Sequence, residues 1–315
     1  MTAGDPKPDL PKPTGPSMPG WRAEVIRQYA GPDRFNARIA FHRLCSVNQQ
    51  PWYPWVFSQL QDMLTPLVAA RREHEDLGPI SILEVGSGPA ELWRVVGAQL
   101  PADWLITVTD LSKGMVRAAK DAITKADGPA QFQFQVCDAQ DLPFPDGSFD
   151  LVVANQVLYQ VPDRDQALME FKRVLRPGGM VMAATDGGRH LQELVALGIP
   201  YFPALGTDGF GDAFGFGTGL LQLSDHFDRI TFRRYHDQLV VDTADKAGLA
   251  IDHLLSTPHG AAASDEAKRR FAERVHFVVA HHGPWRITKE LGLFTAMGPV
   301  LIDPDRVHAL SRGRR

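Results

Sequence analysis

The sequence predicts an α/β fold, a parallel sheet with helices on both faces. Between Ser81 and Ala184, apolar runs of strand length alternate with segments of helix length. That order builds a parallel sheet covered on both sides. The first run, Ile82-Leu83-Glu84-Val85, ends in the turn Gly86-Ser87-Gly88-Pro89-Ala90-Glu91. Glycines have no Cβ and tolerate unusual dihedrals, so backbone here can approach a nucleotide-like ligand closely. The next two runs close on acids, Asp110 and Asp138.

Taken in order, residues 1–20 are crowded with proline and lack apolar periodicity, which predicts disorder. Residues 21–78 read as mostly helical. Phe35 and Ile39 begin an apolar stripe at helical spacing, but its next position is His42. The cluster Trp52, Tyr53, Trp55 and Phe57 after Pro51 reads chiefly as helix core. Strands follow at 82–85, 105–110, 132–136 and 151–154, and a helix ends at Leu175-Arg176-Pro177-Gly178-Gly179 before a strand at 180–184. Residues 189–197 predict a helix carrying His190 and Glu193. The segment 209–219 is too rich in glycine for helix or strand, and its Phe210, Phe214 and Phe216 would not be left in water without a reason. It reads as a mobile lid that closes apolar rings over a ligand. Beyond it, 229–241, 245–256, 266–282 and 285–295 read as strand, helix, helix and strand.

The glycine turn narrows the ligand. A dinucleotide fingerprint has a third glycine where Glu91 stands, and a phosphate-cradling loop would need a lysine that this turn lacks. A neutral or cationic adenosine ligand fits better than a polyphosphate. Asp110 can accept both ribose hydroxyls, the geometry of an acid after the second strand; its alternative is a helix N-cap before Leu111-Ser112-Lys113. Asp138 stands where an adenine amino group can donate to it.

Four motifs now stand in order: EVGSGPAE at 84–91, the acid of TVTDLS at 107–112, CDAQDLPFPDGSFD at 137–150 and FKRVLRPGG at 171–179. Over residues 81–186 the chain resembles class I S-adenosylmethionine-dependent methyltransferases, in the branch that acts largely on small molecules. The resemblance implies a Rossmann-like seven-stranded, mostly parallel sheet closed by an antiparallel C-terminal hairpin, with an N-terminal helical cap over the cofactor. It divides the chain into a tail (1–20), a helical cap (21–78), a cofactor-binding core (79–186), a lid or acceptor-pocket insertion (187–228) and the completion of the sheet (229–315). The implied cofactor is S-adenosyl-L-methionine, with S-adenosyl-L-homocysteine as product. Its expected contacts are Glu84, Gly86, Gly88, Asp110, Leu111, Met115, Asp138, Ala139 and Asn155. Met115 would lie under the adenine, and Asn155 would offer its backbone carbonyl to the methionine amine.

Composition bounds the partners. Of 315 residues, 33 are Lys or Arg and 37 Asp or Glu, so no general attraction to nucleic acid or anionic membrane is expected. No apolar run is long enough to span a bilayer, and the N-terminus lacks a secretory layout. With Cys45 and Cys137 as the sole cysteines, a cytoplasmic location is expected. No CxxC or HxxxH spacing supports a metal, and adjacent His281 and His282 point apart on a helix. A small-molecule substrate is the expected partner, with a homodimer left open.

Methyl transfer to a protonated acceptor benefits from a base. Asp186 ends the fifth strand at the carboxyl edge of the sheet, where ligands bind in open α/β folds. If a helix begins near Gly187, His190 lies one turn on, within reach of that carboxylate; the alternative is an N-cap and a surface histidine. Tyr29 is a further catalytic candidate, and Tyr159, Phe210, Phe214 and Phe216 are candidate acceptor contacts. Asn155-Gln156-Val157-Leu158 lacks the prolines expected where exocyclic amines of nucleic acid are methylated. The reading is methylation at C, N or O of a small aromatic or heteroaromatic metabolite, an indole-like ring among the candidates, in the style of bacterial secondary metabolism. The rival is a protein that binds S-adenosylmethionine without transferring its methyl group.

Overall fold

A computed structural model of the protein describes residues 21–73, 78–125, 131–207 and 213–298; the predicted disorder of 1–20 and the position of Phe210 lie outside them. In chain order the N-terminal helices are α1 (Trp21–Gln28), α2 (Asp33–Cys45) and α3 (Trp52–Glu73). Then come β1 (Ile80–Val85), α4 (Glu91–Val96), β2 (Trp104–Asp110), α5 (Lys113–Thr124), β3 (Gln131–Val136), β4 (Phe149–Asn155), α6 (Arg164–Val174) and β5 (Leu175–Asp186). The remainder is α7 (Gln192–Gly198), α8 (Phe216–Ser224), β6 (Arg229–Val241), α9 (Ala244–Leu255), α10 (Pro258–Ala262), α11 (Asp265–His282) and β7 (Trp285–Met297).

The seven strands form one sheet in the order β3-β2-β1-β4-β5-β7-β6. The first five in that row are parallel, and β7 runs antiparallel between β5 and β6. This is the expected Rossmann-like sheet with its antiparallel C-terminal pair. The winding reverses between β1 and β4, and in such folds the crevice at the carboxyl ends of those strands takes the ligand.

Burial follows from composition. Every residue of β1 is buried, because helices cover both faces and a parallel strand there is largely apolar, with Ser81 and Glu84 as its polar members. At the sheet edge, β3 reads Gln-Phe-Gln-Phe-Gln-Val, and Phe132 and Phe134 turn toward the core. One face packs Ile80, Ile82, Leu151 and Val153 against Phe57, Leu60 and Trp93. The other packs Leu83, Val152, Val181 and Ala183 against Leu168, Phe171 and Leu223. A third core lies beyond the sheet. Phe41 and Cys45 of α2 pack there with Leu194 of α7, Ala250 and Leu254 of α9, and Phe271 and Val275 of α11. The C-terminal helices therefore do more than complete the sheet; with α2 they wall one end of the ligand crevice.

One hydrogen bond ties the chain just after α1 to the start of α5. Ser112 caps α5 and its Oγ also donates to the Tyr29 carbonyl at 2.6 Å. Gly114 lets this contact form, since a Cβ there would lie 1.9 Å from the Ala30 carbonyl oxygen.

Candidate active site

The carboxyl ends of β1, β2, β4 and β5 open into a cavity of about 1270 Å³. Pockets for one small ligand run to about 300–1,000 Å³, so this one has room for a cofactor and an acceptor. At one end Gly86 and Gly88 adopt left-handed backbone, with φ of 64° and 55°. A Cβ on Gly86 would meet Val157 Cγ2 at 2.3 Å. Asp110 is pinned through both oxygens: Oδ2 accepts from the Gly88 N–H at 2.9 Å and Oδ1 from the Ser112 N–H at 2.8 Å. Each oxygen keeps a further lone pair for a ligand. Burial raises the Asp110 carboxyl above the usual carboxylate value, opposed by those two N–H groups.

Glu84 lies deeper. Burial pushes its carboxyl up to about 8, against the Trp93 indole, which donates to Oε2 at 2.6 Å; Asp110 adds repulsion. Asp138 accepts from Gln140 and lies 3.9 Å from Arg22 of α1. Leu111 and Ala139 also line the cavity, as does Asn155, whose Oδ1 is buried with no hydrogen-bond partner among the described residues. A glycine cradle, carboxyls in place of phosphate-gripping cations and an orphaned amide oxygen suit a cationic adenosine ligand. The residues present fit S-adenosylmethionine.

At the other end β5 finishes at Asp186 and a turn brings His190 back, its N–H donating to the Gly187 carbonyl at 3.0 Å. Helix α7 starts only at Gln192, after Leu191 with a left-handed φ of 56°. The expected helix at Gly187 is therefore a turn, because the Gly187 N–H is drawn to the Glu290 carbonyl of β7 at 2.9 Å. Both side chains line the cavity. No hydrogen bond joins them among the described residues; instead His190 Nδ1 accepts from the Glu290 N–H at 3.2 Å. A neutral imidazole bonded this way carries its proton on Nε2. Burial lowers the His190 value, with Asp186 opposing, and burial raises Asp186, with His190, Gln156 and Lys289 opposing.

Tyr29 and Tyr159 also line the cavity. The Tyr29 hydroxyl accepts from Gln160 Nε2 at 2.9 Å. Burial, with Asp186 and Tyr29 nearby, pushes the Tyr159 hydroxyl well above the usual phenol value. Three expected contacts lie elsewhere. Met115 is fully buried in α5 and is not among the lining residues. Phe214 is fully buried against Phe294, and Phe216 packs on Phe232 beneath Arg234. These rings reach the outer strands, not the cavity, because Gly219 and Gly292 leave room for them there: a Cβ on Gly292 would lie 2.3 Å from Phe232 and 2.9 Å from Phe216.

Several lining residues were not singled out from the sequence. Gln156, after β4, has left-handed backbone with φ of 62° and an amide in which neither polar atom makes a normal hydrogen bond among the described residues. His42 stacks on His190 with centroids 5.4 Å apart, and His253 meets His42 edge-on at 5.1 Å. Lys289 is buried with its ammonium 2.6 Å from Asp237. The break in the apolar stripe at His42 was the one signal available; His253 and Lys289 carried none.

Residues 83–183 match the methyltransferase domain family Methyltransf_11. The match spans about a third of the chain and identifies residues 83–183 as a methyltransferase domain. It is 34% identical over 103 residues to the ubiquinone/menaquinone biosynthesis C-methyltransferase UbiE of Bordetella avium, covering 33% of this chain and 40% of that one. It is 32% identical over 164 residues to the malonyl-[acyl-carrier protein] O-methyltransferase of Geobacter sulfurreducens, covering 52% of this chain and 58% of that one. The chain thus spans 40% and 58% of those curated relatives' own length. Among solved structures, the [4+2]-cyclase SpnF is similar with 21% identity and a TM-score of 0.47, covering 91% of this chain and 99% of that one. Among the described residues no helix is long and apolar enough to cross a membrane, and no group of three or more His, Cys, Asp or Glu could hold a metal.

Proposed function

We propose that the protein methylates a C, N or O atom of a small aromatic or heteroaromatic metabolite, with Asp186 as the proton acceptor. Bound S-adenosylmethionine supplies a methyl group already activated on a sulfonium. Asp110 would hold the ribose and Asp138 the adenine amine, while the Gly86–Gly88 turn admits the ligand to the backbone. The observation that carries the assignment is the His190 Nδ1 contact with the Glu290 N–H. It leaves His190 an Nε2–H to donate, so of the Asp186–His190 pair only the carboxylate has lone pairs to receive a proton. Burial keeps Asp186 more basic than an exposed carboxylate, which suits the task. His190 is then a hydrogen-bond donor that positions the acceptor or the carboxylate. The similarity to UbiE, a ubiquinone/menaquinone biosynthesis C-methyltransferase, is consistent with an aromatic acceptor, and the aromatic walls Trp52, Tyr53 and Tyr159 favour a flat one.

The test is a screen of phenols, indoles and hydroxyquinones with methyl-labelled S-adenosylmethionine, beside calorimetric titration with S-adenosylhomocysteine and NAD. Label in an aromatic product and binding of S-adenosylhomocysteine support the reading. Tight binding of NAD alone would overturn it.

A further inference from the structure

The charges on the cavity wall are unevenly distributed, with Arg94 at the acidic end paired to Glu91. Glu84, Glu91, Asp110 and Asp138 gather at the glycine-turn end, whereas Arg38, His42, His190, His253 and Lys289 cluster about the other. The acids near that second end are largely engaged. Asp237 holds Lys289, and Glu290 holds Arg189 at 2.9 Å, which leaves Asp186 as the carboxyl facing the space. Arg38 makes no ion pair among the described residues; its guanidinium lies over the Tyr29 ring, 5.3 Å from the centroid. His42 and His253 each keep a buried Nδ1 with no hydrogen-bond partner among the described residues. An unpaired, half-buried guanidinium and orphaned imidazole nitrogens each cost free energy. One bound anion relieves the first.

The same reading explains helix α2. Phe35, Arg38, Ile39 and His42 all line the cavity, positions three and four apart that share one helix face. The apolar stripe that stops at His42 is a mixed face, apolar toward the glycine turn and basic toward α9 and β7. Arginine rather than lysine on this face suits a flat, bidentate anion.

We propose that this end of the cavity is an anion subsite in which Arg38, flanked by His42 and His253, receives the carboxylate of an aromatic acid acceptor. The proposal rests on the methyltransferase reading above, since it assumes that the acceptor occupies this end. Its test uses the full chain saturated with S-adenosylhomocysteine and calorimetric titration with matched pairs: 4-hydroxybenzoate against 4-hydroxybenzamide, and indole-3-acetate against indole-3-acetamide. In at least one pair the acid binds at least tenfold tighter than its amide. R38Q brings acid and amide within twofold while S-adenosylhomocysteine affinity stays at the wild-type value, which also reports an intact fold. H42F and H253F each weaken the acid without strengthening the amide. The subsite is overturned if acids bind no tighter than amides in both pairs, if no ligand of either pair binds, or if R38Q keeps the preference. Failure to bind S-adenosylhomocysteine at all would instead strike the cofactor assignment.

Discussion

Glu84 titrates close to neutrality because it is buried beside Trp93 and a second acid, Asp110, with a single indole N–H as support. In the free protein at pH 7 it is mostly protonated. A cationic ligand nearby favours the ionised form and lowers that value, so binding releases a proton. Titration of S-adenosylmethionine at pH 7 in buffers of different ionisation enthalpy is expected to show that release, and E84Q to abolish it. Affinity should fall as pH drops below about 8; a pH-independent affinity contradicts the assignment. As the proposed proton acceptor, Asp186 follows the opposite logic, since it must be ionised for that role. Its value is raised, so turnover is lost as pH falls through that raised value. D186N should cost about 10²–10⁴-fold in kcat, the usual range for a positioned base. H190Q, which keeps a donor, should cost less than H190A. Equal and small losses in D186N and H190A would mean that positioning alone suffices.

Among the elements, the central strands were the most legible in the sequence. Ile82–Val85 and 151–154 are apolar runs bounded by turns, and both faces of each are buried. The strand–helix–helix–strand order of the last third also reads directly, apart from the short helix α10. Phe214 and Phe216 were placed at the ligand for a physical reason. Phe214 and Phe216 are exposed hydrophobes only if their partners are unknown, and those partners, Phe232, Phe294 and Gly292, stand far along the chain. His253 and Lys289 were invisible on the same grounds, since α9 and β7 approach α2 only in the folded sheet. The clamp of α1 on α5 is testable at this scale. In G114A the new Cβ would strike the Ala30 carbonyl, and overpacking of this kind costs about 1–3 kcal/mol. The expected outcome is weaker S-adenosylhomocysteine binding by roughly tenfold, by calorimetry, with a smaller change in melting temperature. Unchanged affinity would show that α1 contributes nothing to the cofactor site.

For the whole molecule, the end of the cavity lined by Lys289 depends on the buried pair Lys289–Asp237. Burial raises the Asp237 carboxyl, but Lys289, the Ser46 hydroxyl and backbone N–H groups hold it below the ordinary carboxylate value. A depressed carboxylate contributes stability that is present above its unfolded value and lost as pH falls through the folded one. D237N leaves the Lys289 charge buried without a counter-ion and should destabilise by about 3–5 kcal/mol, read as a lower urea midpoint. A wild-type midpoint would show that the charge escapes to solvent. Asp237 also accepts from the N–H groups of Val47 and Asn48, so β6, β7 and the chain after α2 are tied at one carboxylate.

The contact between the Ser112 hydroxyl and the Tyr29 carbonyl has a kinetic side. Residues of α1 such as Trp21 and Val25 line the same cavity that Asp110 and Asp138 serve. A ligand seated there lies beneath a helix none of whose residues is itself buried. If the ligand enters and leaves past that short helix, its opening rate sets a ceiling on turnover whatever the speed of the chemistry. Limited proteolysis at Arg22 and Arg27 should slow on addition of S-adenosylhomocysteine, and undiminished cleavage in the loaded protein would show that the ligand leaves by another door.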